Sequence, residues 1–278
     1  GSEFHLDKSE SKGVFVVSFK EQRPILVNDI NMIEGDLSER SIEFARRLHV
    51  HSFICCPIIC DKESLGIIAV DNLTSKRPLL QSDMSMLMGI ASVIGISLRN
   101  AWLLEAREKQ FQSMLKVLAS SIDARDPLTA GHSEKVTKYS MAICEKLRLE
   151  KNYCEMIRIA ALLHDYGKIG VPDAILKKKG PLTQDEYEII KTHAAKTKKI
   201  LDNVQFEGIY SQIPDISSSH HERMDGNGYP RGLKGEKIPL GARIIAVADF
   251  YEAVTALRHY RSPMATEEAV DLLKTESG

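Results

Sequence analysis

Apolar and polar residues follow two rhythms along the chain, and the change near Ser82 divides it. Before that point, short runs of β-branched and aromatic residues bounded by turn residues predict strands at 13–20, 53–60 and 65–71. Residues 38–47 read as a helix, and Asp61-Lys62-Glu63-Ser64 as a hairpin turn. From Ser82, read as the helix cap, the apolar positions recur at a helical period. Leu87, Ile94, Ala101, Glu108, Leu115 and Ile122 form one seam row, and Ile90, Ser97, Leu104, Phe111 and Leu118 the other. Nine of these eleven are apolar, which favours a long paired helix over two short ones. Beyond Asp126-Pro127, helical periods cover 134–147, 153–165, 183–201, 242–257 and 266–274. The expected class is multidomain, α/β plus all-α: a small α/β sensor-type module, a long connecting helix and an all-helical module.

Composition narrows the possibilities. The 278 residues are 43% hydrophobic, enough for packed cores. With 37 basic and 38 acidic side chains the net charge is −1, which argues against binding duplex nucleic acid. The five cysteines form no C-x-x-C pair and no regular framework, so they read as reduced core residues of a cytoplasmic protein. No signal peptide and no membrane segment are expected. Residues 1–4 read as a cloning remnant, and the C-terminal end as a truncation.

Histidine changes the picture most. Six of nine histidines lie after residue 131. His164-Asp165-Tyr166-Gly167-Lys168 closes an apolar helical stretch. His132 follows Gly131, His193 sits mid-helix, and His220-His221-Glu222 leads into Asp225-Gly226-Asn227-Gly228-Tyr229-Pro230. Asp249 is a lone carboxylate in an apolar helix. Five imidazoles and two carboxylates exceed the needs of one tetrahedral zinc. They suit two carboxylate-bridged divalent ions, iron first, with Mn, Zn, Ni or Co as alternatives. Such a pair can activate hydroxide and offset phosphoryl charge, and the Lys168 ammonium can steady a phosphate oxygen or leaving group. Gly226, Gly228 and Pro230 are expected to fix a tight loop, and Asp225 to hydrogen-bond that loop or a ligand histidine.

Two resemblances follow. Arg23 to Asp29, Ser52 to Ile59, Gly66 to Asn72 and the helix 83–100 resemble the later part of a GAF domain, implying an incomplete sensor over 5–100 without a cyclic-nucleotide signature. Its connecting helix spans 84–122. The segment 118–278 resembles the HD-GYP branch of the HD metal-dependent phosphohydrolases, through His164 to Lys168 and His220 to Pro230. The implied activity is hydrolysis of cyclic di-GMP to the linear dinucleotide pGpG or to GMP. The implied metal ligands are His132, His164, Asp165 and Asp249 for one ion and His193, His220 and His221 for the other, with Asp165 bridging. A third metal is not expected, because the turn at 127–129 lacks the glutamate some members use.

The resemblance also implies phosphate contact by Arg258 and Arg261, whose guanidinium groups suit such oxygens. Tyr229 is expected to face the substrate or to serve as a knob for signalling proteins. His259, His49 and His51 receive no role. Expected partners are cyclic di-GMP and a second copy joined through the connecting helix, which the sensor signal would rotate or shift in register to open the pocket. The rival readings are a cyclic di-GMP receptor or protein-interaction module with little catalysis, and a phosphodiesterase for another cyclic dinucleotide.

Overall fold

The computed structural model describes residues 13–36, 42, 46–47, 50–125, 131–256 and 263–276. The helix expected at 38–47, the turn at 127–129, and Arg258, His259 and Arg261 lie largely or wholly outside them. Two compact units divide between Lys109 and Gln110.

The first unit holds a three-stranded antiparallel sheet in the order β1 (Ile25–Val27), β2 (Phe53–Cys60), β3 (Glu63–Asp71). The β2–β3 hairpin closes on two residues, Asp61 and Lys62, both at positive φ. That geometry suits the twist of the flanking strands. Pro57 is tolerated in the central strand because β1 pairs only with Phe53, Ile54 and Cys55, so no described strand on that side needs its missing N–H.

The run expected as a strand at 13–20 is instead a helix, α1 (Val14–Glu21), ended by Gln22 in the left-handed region. Its aromatic side chains explain the difference. Phe15 packs on Phe53 with ring centroids 5.5 Å apart. The run therefore covers the Val27, Phe53 and Cys55 side of the sheet rather than extending it. Tertiary packing overrode β propensity.

The opposite side, built on Ile54, Cys56 and Ile58, is covered by Leu87 and Ala91 of α2 (Gln81–Asp123). Gly95 allows the helix to come close, since a Cβ there would sit 2.6 Å from the Ile59 carbonyl oxygen. Helix α2 begins one residue before Ser82. Its start is held by Asp83, which accepts from the Leu80 N–H (2.9 Å) and from Arg77. The expected seam is split by burial. Leu87, Leu115 and Ile122 are buried within their own units, whereas Ile90, Leu104, Phe111 and Leu118 are 39–66% exposed. One 18-residue window of α2 has mean hydropathy 1.5, long and apolar enough by composition to cross a membrane, which qualifies the expectation of no such segment.

The second unit is helical among its described residues: α3 (His132–Lys146), α4 (Lys151–Leu163), α5 (Asp173–Leu176), α6 (Gln184–Leu201), α7 (Ile213–Ser218), α8 (Leu240–Thr255) and α9 (Thr266–Glu276). Its core joins Met156, Ile157, Ala160 and Leu163 of α4 to Val136 of α3, Ile216 of α7 and Ile245 of α8. Thr183 caps α6 with a capping box to Glu186. Asp123 ties the start of α3, accepting from the Ser133 N–H and hydroxyl. The short helices α5 and α7 carry too few residues for a readable period.

Candidate metal centre

Seven side chains from five segments converge on one buried point. Helix α4 ends at Leu163, so His164 and Asp165 leave its C-terminus just as the backbone tightens into a 3-10 turn over Tyr166–Gly170. In that tighter turn side chains three apart eclipse. Lys168 therefore lies over Asp165, its Nζ 2.6 Å from Oδ2. His132 opens α3, His193 faces inward from α6, His220 and His221 follow α7, and Asp249 faces in from α8.

The cluster has two halves. The imidazole nitrogens of His193, His220 and His221 can lie within 4.8 Å of one another, as can one ligand atom each from His132, His164 and Asp249. Asp165 stands between them. Its Oδ1 is 3.3 Å from His193 Nε2, and its Oδ2 is 3.5 Å from His164 Nε2 and 3.8 Å from His132 Nε2. Asp249 Oδ1 is 3.1 Å from His132 Nε2.

The tautomers follow from the backbone. His164, His193 and His220 place Nδ1 2.7, 2.7 and 2.6 Å from the carbonyls of Ala161, Ile190 and Ser217. A carbonyl only accepts, so each Nδ1 carries the proton and each neutral Nε2 keeps a lone pair. All three Nε2 atoms are buried without a hydrogen-bond partner. Lone pairs of His164 and His193 thus face carboxylate oxygens, acceptor against acceptor. Buried unpaired acceptors are costly, and cations between them would satisfy both sides. The donor set, nitrogen and oxygen without thiolate, fits borderline divalent metals.

The electrostatics agree. Burial, with His221 and the other imidazoles, holds His220 well below its ordinary value, and burial lowers His193 likewise. Burial and His193 lower His221 to about 4. Burial alone would depress His132, but hydrogen bonds to Asp249 and Glu252 lift it to about 10. Burial would raise Asp165, yet Lys168 and three histidines hold it well below the carboxylate range.

The loop after His221 is built as expected in part. Gly226 has φ +87°. Gly228 does a different job from the expected turn, because a Cβ there would lie 2.4 Å from the Arg223 nitrogen. Asp225 accepts from the Asn227 N–H (2.8 Å), so it braces the loop rather than a histidine. The Tyr229 ring packs 4.7 Å from His221, and Tyr229–Pro230 is a cis peptide. Pro230 itself is exposed.

Four supports escaped the sequence reading. Glu222 is buried and accepts from the Arg231 and Leu233 N–H groups (2.7 and 2.8 Å), closing the loop. Arg125 reaches the carbonyls of Lys168, Ile169 and Val171 and the Asp173 carboxylate. Thr197 joins α6 to the 3-10 turn, accepting from Gly167 N–H and donating to the His164 carbonyl. Glu252 accepts from His132 Nδ1 at 2.7 Å. Two had a readable signal: Glu222 stands inside the His220 to Pro230 motif, and Glu252 sits one turn after Asp249 on the same helix face.

A family model described as HD domain matches residues 116–278, more than half of the chain. The chain belongs to the HD-domain family. A GAF-domain model matches residues 2–98. The HD domain carries both the His164-Asp165 pair and the Gly228-Tyr229-Pro230 loop of the HD-GYP kind. It is 41% identical over 165 residues to a cyclic di-GMP phosphodiesterase of Thermotoga maritima, covering 59% of this chain and 45% of that one. It is 40% identical over 153 residues to 3'3'-cGAMP-specific phosphodiesterase 3 of Vibrio cholerae, covering 55% and 33%. A cyclic di-GMP phosphodiesterase response regulator of Xanthomonas campestris is 38% identical over 171 residues, covering 62% and 45%. The chain thus spans about a third to a half of the length of these relatives.

Proposed function

We propose that this chain is a metal-dependent phosphodiesterase that opens cyclic di-GMP to pGpG, GMP or both, under control of its GAF domain. The observation that carries the reading is the buried cluster of five imidazoles and two carboxylates, with Asp165 turning one oxygen to each half.

The first metal falls to His132, His164, Asp165 and Asp249, and the second to His193, His220 and His221 with Asp165. Iron is the first choice, and two ions rather than three fit the donors described. When bound, the metals would make water nucleophilic near neutral pH and offset charge on the phosphoryl oxygens. The chain's own residues hold the rest. Backbone carbonyls fix three imidazoles with Nε2 inward, which keeps the ligand set preorganised. The Lys168 ammonium, seated on Asp165, steadies negative charge developing on a phosphate or leaving oxygen. Tyr229, with its ring against His221, borders the place where a nucleotide would sit. Arg258 and Arg261 remain candidates for phosphate contact. Five free thiols fit a cytoplasmic setting.

A second copy is proposed to pair through the exposed Ile90, Leu104, Phe111 and Leu118 row of α2. Light scattering that gives a monomer for the chain would remove that element.

The test of the activity is product analysis of metal-loaded chain with cyclic di-GMP, alongside His164→Ala and Asp165→Ala. Linear product from wild type and none from the variants is expected. Binding without turnover in wild type would favour the receptor reading. The 3'3'-cGAMP-specific relative supports one alternative substrate, so 3'3'-cGAMP is run in parallel.

A further inference from the structure

The five imidazoles are not backed alike. His164, His193 and His220 each lean on a neutral backbone carbonyl. His132 leans on a carboxylate, with Glu252 Oε2 2.7 Å from Nδ1. Glu252 is only 3% exposed, and its other oxygen lies 3.3 Å from Lys135 Nζ. Burying a carboxylate is costly unless it is paired, so this glutamate holds its place because His132 and Lys135 meet it. It sits one turn after Asp249 on α8, and that helix therefore supplies both a carboxylate to one nitrogen of His132 and a carboxylate to the other.

An anionic acceptor behind an imidazole fixes the ring and raises the donor strength of the opposite nitrogen more than a neutral carbonyl does. The half around His132 thus combines Asp249, a share of Asp165 and a carboxylate-backed imidazole. The half around His193, His220 and His221 offers the other share of Asp165 and three imidazoles, at least two of them backed by carbonyls. Resting on the two-metal reading above, we propose that Glu252 is a positioning residue that makes the two metal positions unequal. The ion at His132, His164 and Asp249 is held more tightly than the ion at His193, His220 and His221. Glu252, through His132, supplies much of the difference.

The experiment uses the full chain, stripped with chelator and titrated with Co2+ under argon. Equilibrium dialysis counts the metal and visible absorption follows its coordination. Wild type should bind in two resolved steps, and His193→Ala should lose the weaker one. Glu252→Gln keeps an acceptor for Nδ1 and removes only the charge. It should weaken the tighter step about 10–100-fold and alter its absorption band, the usual penalty for losing such a partner. The weaker step should stay within about 3-fold. Lys135→Met, with circular dichroism as a check on folding throughout, should leave the tighter step within about 3-fold. Unchanged steps and spectrum in Glu252→Gln, weakening confined to the step that His193→Ala removes, or two equal steps in wild type would overturn the proposal. Wild type that takes up no Co2+ would overturn the two-metal reading itself, and this inference with it.

Discussion

Replacing Thr197 with valine tests how the two halves of the centre are kept in register. Thr197 is fully buried on α6, one turn after His193. Its hydroxyl accepts from Gly167 N–H at 2.8 Å and donates to the His164 carbonyl at 3.0 Å. It is the bolt between the helix that carries His193 and the turn that carries His164, Asp165 and Lys168. Valine has nearly the same shape, so no cavity forms. Two buried backbone groups would each lose a partner, at about 1–3 kcal/mol apiece. Burying a methyl in place of a hydroxyl returns about 1 kcal/mol. The net loss is then about 1–5 kcal/mol, or roughly 3–15 °C in the melting temperature of a helical unit of this size. Thr197→Ser keeps both hydrogen bonds and gives up one methyl group, about 1 kcal/mol. The assay is thermal melting followed by circular dichroism on metal-free and metal-loaded chain. If Thr197→Val melted within about 1 °C of wild type, or no lower than Thr197→Ser, the hydroxyl would not be bridging the two segments and the reasoning would fail.

Three other outcomes are expected. Gly167→Ala would set a Cβ 1.9 Å from the His193 carbonyl oxygen. The turn must retreat by about an ångström, which should cut turnover on the order of 100-fold, read by initial rates against cyclic di-GMP; a rate within 3-fold of wild type would contradict the close approach. The metal-free chain should be most stable near neutral pH. Below about 6.5 the unfolded chain protonates histidines that burial keeps neutral in the fold, His221 down to about 4, with His193 and His220 acting the same way. Their contribution is therefore present above 6.5 and lost as pH falls. His132, lifted to about 10 by its carboxylates against the pull of burial, contributes below 6.5 and loses that contribution as pH rises toward 10. Urea midpoints of chelated protein across pH 5–9 check both limbs, and a flat profile would refute them. Finally, native iodoacetamide labelling at pH 8 should reach half-buried Cys60 before Cys144. Burial lifts Cys144 to about 12, leaving a thiolate fraction of roughly 10⁻⁴. Mass spectrometry showing Cys144 labelled first would overturn that order.

How much of this was legible in the sequence depended on whether the signal was local. The helices of the second unit were, because each buries one stripe and exposes another, and their ends moved by only a few residues. The seven candidate ligands were too, because five imidazoles and two carboxylates fall on the motif positions that the HD-GYP resemblance marks, although His193 or Asp249 taken alone would read as an ordinary residue. What escaped was relational. The run Val14 to Phe19 has the composition of a strand, and only its packing on Phe53 turns it into a helix. The seam along α2 was legible as a period but not as a partner. Leu87, Leu115 and Ile122 are consumed by their own units, which leaves the Ile90 row to meet anything else. Thr197 and Arg125 have no signature at all, and Glu222 shows only as a member of the His220 to Pro230 motif, since each acts by reaching backbone groups across gaps of 9 to 46 residues. Glu252 lies between these cases. Its spacing from Asp249 put it on the right face, but the carboxylate became meaningful only once His132, 120 residues earlier, was found at its tip. The candidate ligands of such a centre can thus be read from residue types and motif, whereas the groups that aim and tune them are visible mainly after the chain has folded back on itself.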